Sequence, residues 1–77
     1  MPFPTRDPNF EALRLELSKL RSTRSWTYDD LAERSGVTRR TLIAMETGTT
    51  HGRLESWFRV AVAFEVPVAD FFARLDS

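Results

Sequence analysis

The chain of 77 residues contains no cysteine and only one histidine. The lack of cysteine excludes a disulfide framework, a cysteine-ligated zinc site and a thiol nucleophile. No apolar stretch approaches the roughly 20 residues that a bilayer span needs. The first six residues also lack the apolar core and cleavage site of a signal peptide. We therefore expect a cytoplasmic protein, without a membrane partner, whose fold depends on apolar packing alone.

Net charge of either sign is also missing, because eleven Lys and Arg residues balance eleven Asp and Glu residues. At first sight neutrality argues against a nucleic-acid partner. The charge is unevenly placed, however: residues 34–53 carry four arginines against one glutamate, and residues 54–77 carry two arginines against four acidic residues. A polarised neutral domain is expected to bind nucleic acid only weakly unless specific contacts or dimerisation assist it.

Helix signals recur along the chain, and no segment alternates as a half-buried strand would. The sequence predicts a single all-α domain over residues 8–77, after a flexible tail over residues 1–7. Its small size leaves little buried surface to spare for a cofactor cavity or a deep catalytic cleft, and we expect no cofactor. The five predicted helices begin at Asp7-Pro8, after the cap Thr27, after the cap Thr38, at Leu54 and at Val68, and they end near Ser22, Gly36, Gly48, Val66-Pro67 and Leu75.

The most informative segment is residues 28–47, where two short helices are separated by Ser35-Gly36-Val37. A short turn with glycine between two such helices is typical of the helix-turn-helix unit. Gly36 supplies the left-handed backbone that this turn needs, and Ala32 is small enough for a close crossing. Four apolar residues lock the crossing: Leu31, Val37, Leu42 and Met45.

Residues 27–48 resemble the Cro/C1 (Xre) family of phage-repressor-type DNA-binding domains, and the similarity extends over residues 10–75. The resemblance implies a compact five-helix repressor-like fold that contains a helix-turn-helix. The chain departs from the family pattern at four positions: Tyr28 replaces a glutamine that grips a phosphate, Ser35 replaces an apolar residue, Gly52 replaces a frequent proline, and Glu65 replaces the glycine that ends helix four.

The resemblance implies that the start of the third helix enters the major groove of double-stranded DNA. The predicted base-reading residues are Thr38, Arg39, Arg40, Ile43 and Ala44. The arginine fork fits guanine O6 and N7, so we expect at least one arginine to read a base and the other to bind a phosphate. Ile43 has two interpretations, contact with thymine methyl groups or partial cover by neighbouring loops.

Phosphate contacts are expected at helix ends and in the loop after the third helix. The predicted residues are Thr27, Tyr28, Thr47, Thr49, Thr50, His51 and Arg53. His51 has no partners at metal-ligand spacing, so neither a metal site nor a catalytic role is predicted for it. The family resemblance also implies a structural ion pair between Arg21 and Glu46.

Adjacent aromatic residues in the last two helices cannot all share one buried face. We therefore expect a homodimer through helices four and five, with Trp57, Phe71 and Phe72 as candidate contacts. The function implied is a transcriptional regulator, a repressor that acts by occupying its operator. Two alternatives remain at this point: the antitoxin of a toxin–antitoxin pair, and a protein-interaction domain that no longer binds DNA. No catalytic constellation is recognisable, so no enzyme activity is expected.

Overall fold

The computed structural model describes residues 6–77, so most of the predicted tail, residues 1–5, lies outside the described residues. All regular secondary structure within residues 6–77 is helical, which confirms the predicted all-α class. Its elements are α1 (Phe10–Thr23), α2 (Tyr28–Ser35), α3 (Arg39–Thr47), α4 (Leu54–Phe64) and α5 (Val68–Phe72), followed by a 3-10 turn at Ala73–Asp76. The predicted fifth helix is thus divided, its last turn being 3-10. None of the helices in this part of the chain is long and apolar enough to cross a membrane.

Helix α1 begins two residues later than the Asp7-Pro8 signal predicted. Its N-cap is Asn9, whose side chain accepts a hydrogen bond of 2.9 Å from the amide of Ala12. The Asn9 amide donates to the carbonyl of Leu75 at 2.9 Å, and its Nδ2 donates to the carbonyl of Ser77 at 3.1 Å. These contacts with the C-terminal turn hold Asn9 at the helix start, so the cap is decided by residues more than sixty positions away.

Helix α4 also ends earlier than predicted. Its C-cap is Glu65, at φ +60°, and the Glu65 amide donates to the carbonyl of Val62 at 3.0 Å. The left-handed backbone costs a non-glycine residue about 1 kcal/mol, yet it terminates the helix before Pro67 has any effect. Glu65 therefore ends the helix with the left-handed backbone that the family pattern obtains from glycine.

The hydrophobic core receives residues from α1 to α5 and from the turn after α2. Its buried members are Leu13, Leu17, Leu31, Val37, Leu42, Met45, Trp57, Val60, Ala61, Phe64 and Phe71. A core so widely shared fixes each helix against several others, which is what a small domain without disulfides requires.

Of the adjacent aromatic pairs Trp57-Phe58 and Phe71-Phe72, the members that are buried are not those expected from the predicted dimer contacts. Trp57 is 2% exposed and Phe71 is fully buried, with their ring centroids 5.2 Å apart. The prediction was therefore wrong for both as surface contacts of the single chain, because the packing of α4 on α5 needs their area. Phe58, at 56% exposure, is the surface member of the first pair, and Phe72 is half-buried.

Candidate nucleic-acid interface

The turn between α2 and α3 is built from three consecutive residues. Gly36 has φ +76°, a conformation that L side chains rarely adopt. The hydroxyl of Ser35 is buried and accepts a hydrogen bond of 3.1 Å from the amide of Val37. Val37 in turn points into the core. Ser35 thus satisfies a turn amide that an apolar residue at this position would leave unpaired.

The start of α3 is capped by Thr38. Its hydroxyl accepts a hydrogen bond of 3.3 Å from the Thr41 amide and lies 2.9 Å from the Thr41 hydroxyl, to which it donates. The side chain of Thr38 is exposed, as expected of a residue at the candidate interface. Because its hydroxyl is engaged in the cap, Thr38 first of all fixes where α3 begins.

The two arginines that follow are both exposed, but their surroundings differ. Arg39 Nε lies 3.3 Å from Asp29 Oδ1 on α2. Within residues 6–77 no carboxylate lies within 4 Å of Arg40. Arg40 lines an open cleft of about 480 Å³ together with Arg53 and with Thr41, Ala44, Thr50, Gly52 and Ser56. The cleft brings two predicted DNA-contacting arginines, from α3 and from the loop before α4, onto one concave surface.

Ile43 and Ala44 are both half-buried on α3. The chain after α3 folds back towards Ala44, whose carbonyl accepts a hydrogen bond of 3.2 Å from the Thr50 amide. Within α3, the hydroxyl of its last residue, Thr47, donates to the Ile43 carbonyl at 2.7 Å. Both interpretations of Ile43 therefore remain open, because a half-buried side chain is partly covered and still presents surface.

The loop between α3 and α4, residues 48–53, lies against α1 and α4. The ring of His51 stacks on Phe10 with a centroid distance of 3.6 Å, and its carbonyl accepts a hydrogen bond of 2.8 Å from Trp57 Nε1. Gly52 has φ +81°, and a Cβ there would lie 2.6 Å from the same Nε1 atom. Proline, which fixes φ near −65°, cannot take this backbone, and this explains the departure at residue 52.

The remaining predicted phosphate contacts in this region are threonines with exposed side chains. The hydroxyls of Thr47 and Thr49 lie 3.2 Å apart, and the hydroxyl of Thr50 accepts from the Gly52 amide at 3.3 Å. At the start of α2, the Thr27 hydroxyl accepts from the Asp30 amide at 3.0 Å while the Asp30 carboxylate accepts from the Thr27 amide at 2.9 Å. The amide hydrogen bond from Thr27 is the main reason that the pKa of Asp30 is lowered.

Arg21, Glu46 and Tyr28 join the first three helices in one polar cluster. Arg21 donates from Nε and Nη2 to the two carboxylate oxygens of Glu46, at 2.8 and 2.9 Å, and from Nη1 to the carbonyl of Trp26 at 2.9 Å. The Tyr28 hydroxyl donates to the same carboxylate, and the Arg21 guanidinium lies 4.2 Å from the Tyr28 ring centroid. The side chain of Glu46 is only 9% exposed.

The pKa values of this cluster follow from burial and from its hydrogen bonds. Burial alone would raise the pKa of Glu46, but the hydrogen bonds from Arg21 and Tyr28 outweigh it and the pKa is lowered. Burial, reinforced by the hydrogen bond to Glu46, raises the pKa of Tyr28. Both shifts favour the protonation states that exist at neutral pH, an ionised carboxylate and a neutral phenol.

Two comparisons with known proteins agree with this geometry. A model of a family described as helix-turn-helix matches residues 17–71, which is more than half of the chain. The chain belongs to the Cro/C1-type helix-turn-helix family. An uncharacterized HTH-type transcriptional regulator of Methanocaldococcus jannaschii is 35% identical over 65 residues, covering 84% of this chain and 98% of that protein.

In this helix-turn-helix domain, two contacts could not be predicted from the sequence. Asp29 contacts Arg39 across the turn, ten residues away, and no local pattern encodes that pair. Trp26 stacks on Phe64 at 5.1 Å, and the Arg34 guanidinium lies 4.4 Å from the Trp26 ring centroid. The only sign of this contact in the sequence is a tryptophan directly before the cap Thr27. The stacking of Trp26 on Phe64 anchors the start of α2 on α4.

Proposed function

We propose that this helix-turn-helix protein is a sequence-specific transcriptional repressor that acts by occupying its operator on double-stranded DNA. The observation that supports it is the exposed pair Arg39 and Arg40 at the N-terminal end of α3, next to a turn whose geometry fits the motif. Occupancy needs no reaction, only a surface that distinguishes one duplex sequence from another.

The base-reading role falls to the exposed start of α3. Arginine presents a planar donor fork that pairs with guanine O6 and N7, and each such pair discriminates by about 1–3 kcal/mol. Thr38 lies beside the two arginines, and the half-buried pair Ile43 and Ala44 follows one turn later. Apolar groups at that position suit a thymine methyl group.

The phosphate contacts fall to the flanks of α3. Thr47 ends α3, and the loop that follows carries Thr49, Thr50, His51 and Arg53. Of these, Thr50 and Arg53 line the Arg40 cleft. At the other flank the Tyr28 hydroxyl donates to Glu46, whereas the Thr27 hydroxyl only accepts, from the Asp30 amide. The Thr27 O–H and the backbone amides of the first turn of α2 are therefore the donors proposed for a phosphate there.

A second copy of the chain is the partner that the surface of α4 fits best. Leu54, Phe58 and Val62 are all more than half exposed and, spaced by four residues, form an apolar stripe along α4. The stripe is symmetric about Phe58, so in an antiparallel packing of α4 against α4 of a second copy, Leu54 would face the partner's Val62 and the two Phe58 rings would meet. Such self-complementarity is what a two-fold interface requires.

The charged residues beside this stripe are also self-complementary in the antiparallel packing. Glu55 and Arg59 lie on one side of it and form an exposed ion pair at 2.7 Å. In the antiparallel packing each would lie close to the oppositely charged residue of the partner. A dimer would also present two recognition helices to two half-sites about 34 Å apart, and this compensates for the neutral net charge.

The test of the proposed function is selection of bound sequences from random duplex DNA with the whole chain, repeated with Arg39→Ala and Arg40→Ala. Enrichment of one motif supports sequence-specific binding, and relaxation of one base position in a variant assigns that arginine to a base. A uniform loss across all sequences assigns it to a phosphate. If no sequence is enriched at any salt concentration, the DNA-binding proposal is wrong and the protein-interaction alternative replaces it.

The repressor role needs a separate measurement. The selected site is placed over a promoter in one template and well upstream of it in another, and transcription is measured with increasing protein. Repression by occupancy predicts loss of transcript from the first template only. A rise in transcript from the second template would indicate activation instead.

A further inference from the structure

Asp29 is an exposed, negatively charged residue beside Arg39, one of the two arginines proposed to contact DNA. Asp29 is not part of the capping box of α2, which Thr27 and Asp30 form. Its Oδ1 lies 3.3 Å from Arg39 Nε, with side-chain exposures of 80% and 60%. Ion pairs this exposed contribute little to folding stability. The contact between Asp29 and Arg39 therefore calls for a different explanation.

We propose that Asp29 is a positioning residue that sets the base specificity of this domain by holding the guanidinium of Arg39; this rests on the proposed DNA-reading function. The contact joins Asp29 Oδ1 to Nε, and neither terminal Nη group of Arg39 donates a hydrogen bond within residues 6–77, so both are available. Recognition of guanine uses two parallel N–H donors of the guanidinium. A carboxylate at Nε thus orients the fork without competing for the donors that read the base.

Arg40 provides the internal contrast. It lies on the same helix, one residue later, and no carboxylate within residues 6–77 comes within 4 Å of it. Its cleft is shared with Arg53, a second cation. A long side chain without an orienting partner loses more conformational entropy when it is fixed on one base, whereas a phosphate accepts it in many geometries. Arg39 therefore reads the base and Arg40 binds the backbone.

This role predicts two opposite effects of one substitution. Asp29→Asn removes a negative charge, so binding to any duplex becomes tighter. The same change releases Arg39, so discrimination between the preferred base and the others becomes weaker. If Asp29 were only a surface charge, the first effect would occur without the second.

Glu33 supplies a matched control. It lies four residues after Asp29 on the same face of α2, it is exposed, and within the described residues no cation lies within 4 Å of its carboxylate. Glu33→Gln makes the same change in net charge without touching Arg39.

The experiment compares the intact chain with Asp29→Asn, Glu33→Gln, Arg39→Ala and the double variant Asp29→Asn/Arg39→Ala. Each protein undergoes selection from random duplex DNA, and Kd is then measured on the selected site and on a scrambled duplex at two salt concentrations. We expect Asp29→Asn and Glu33→Gln to bind the scrambled duplex more tightly by similar factors. Only Asp29→Asn should lose preference, by about threefold or more, at the base position that Arg39→Ala relaxes.

The double variant should discriminate at that position no worse than Arg39→Ala alone, because the two residues act through one contact. Unchanged melting curves show that folding is not the cause. If Asp29→Asn keeps the base preference of the unmodified chain, the positioning role is wrong while sequence-specific binding stands. If the unmodified chain selects no sequence, the proposed function itself fails, and the two failures are thereby distinguished.

Discussion

Arg21 and Glu46 form a two-pronged ion pair that joins the end of α1 to the end of α3, at N–O distances of 2.8 and 2.9 Å. The pair does not face the candidate DNA-binding residues at the start of α3. It fixes the far end of the same helix, so its effect on DNA binding is on the orientation of α3 as a whole.

Glu46→Gln should destabilise the domain by about 2–3 kcal/mol, somewhat below the cost of breaking a fully buried pair, because Arg21 retains partial contact with water. For a domain of this size the melting temperature should then fall by roughly 10 °C or more. Thermal unfolding followed by circular dichroism measures this. Glu55→Gln, which breaks an exposed ion pair, is the control and should change the melting temperature only slightly. Equal shifts in the two variants would contradict the structural role of Glu46.

Stability should also depend on pH through Glu46. Its pKa in the folded chain is lowered from the ordinary value of 4.5, although burial opposes the shift. The stabilisation is therefore complete above about pH 4.5 and is lost as the pH falls through the lower folded-state pKa. Melting temperatures measured from pH 7 downwards should fall less steeply for Glu46→Gln than for the unmodified chain. Asp30, whose pKa is also lowered, contributes in the same direction to both proteins.

Tyr28→Phe separates the two roles considered for the Tyr28 hydroxyl. Its hydrogen bond to Glu46 predicts a loss of about 1 kcal/mol in stability, since the carboxylate loses one of its donors. If the hydroxyl makes no phosphate contact, the slope of log Kd against log salt should not change. A slope reduced by about one unit would instead assign a phosphate to Tyr28. Arg53→Ala, at the opposite flank, is the comparison in which we expect that reduction.

Phe58→Glu should abolish the dimer proposed for α4, because two carboxylates would meet at the two-fold axis. Light scattering after size-exclusion chromatography measures the mass of each species. Leu15→Glu, which changes an exposed leucine on α1 remote in sequence from the stripe, should leave the mass unchanged. A monomer for the unmodified chain at high concentration would exclude this interface, and a dimer that survives Phe58→Glu would place it elsewhere.

Much of the fold could be predicted because its determinants are local. The caps Thr27 and Thr38 and the glycines at 36 and 48 lie next to the helices that they delimit, so the bounds of α2 and α3 follow from the sequence. The start of α1 could not be predicted in the same way. Asp7-Pro8 is a good local signal, but contacts of Asn9 with the distant C-terminal turn decide the cap.

In the candidate site, too, the features with local determinants could be predicted and those that depend on distant packing could not. The exposure of Arg39 and Arg40 follows from helical spacing around the inward Leu42 and Met45. The partner of Arg39, by contrast, depends on how α2 crosses α3. The choice between Trp57 and Phe58 as the exposed residue likewise depends on where α5 packs, and neighbouring apolar residues on one helix do not reveal it.

The hydrogen bond from Trp57 to the His51 carbonyl makes the Trp57 fluorescence sensitive to the position of the loop. The indole nitrogen reports directly on the loop of residues 48–53, which carries most of the proposed phosphate contacts. The only other tryptophan, Trp26, stacks face to face with Phe64, so phenylalanine can replace it with the stacking retained. A Trp26→Phe chain would then have a single tryptophan, which lies under the proposed DNA-contacting loop, and a rearrangement of that loop on a duplex would change the tryptophan emission without a label.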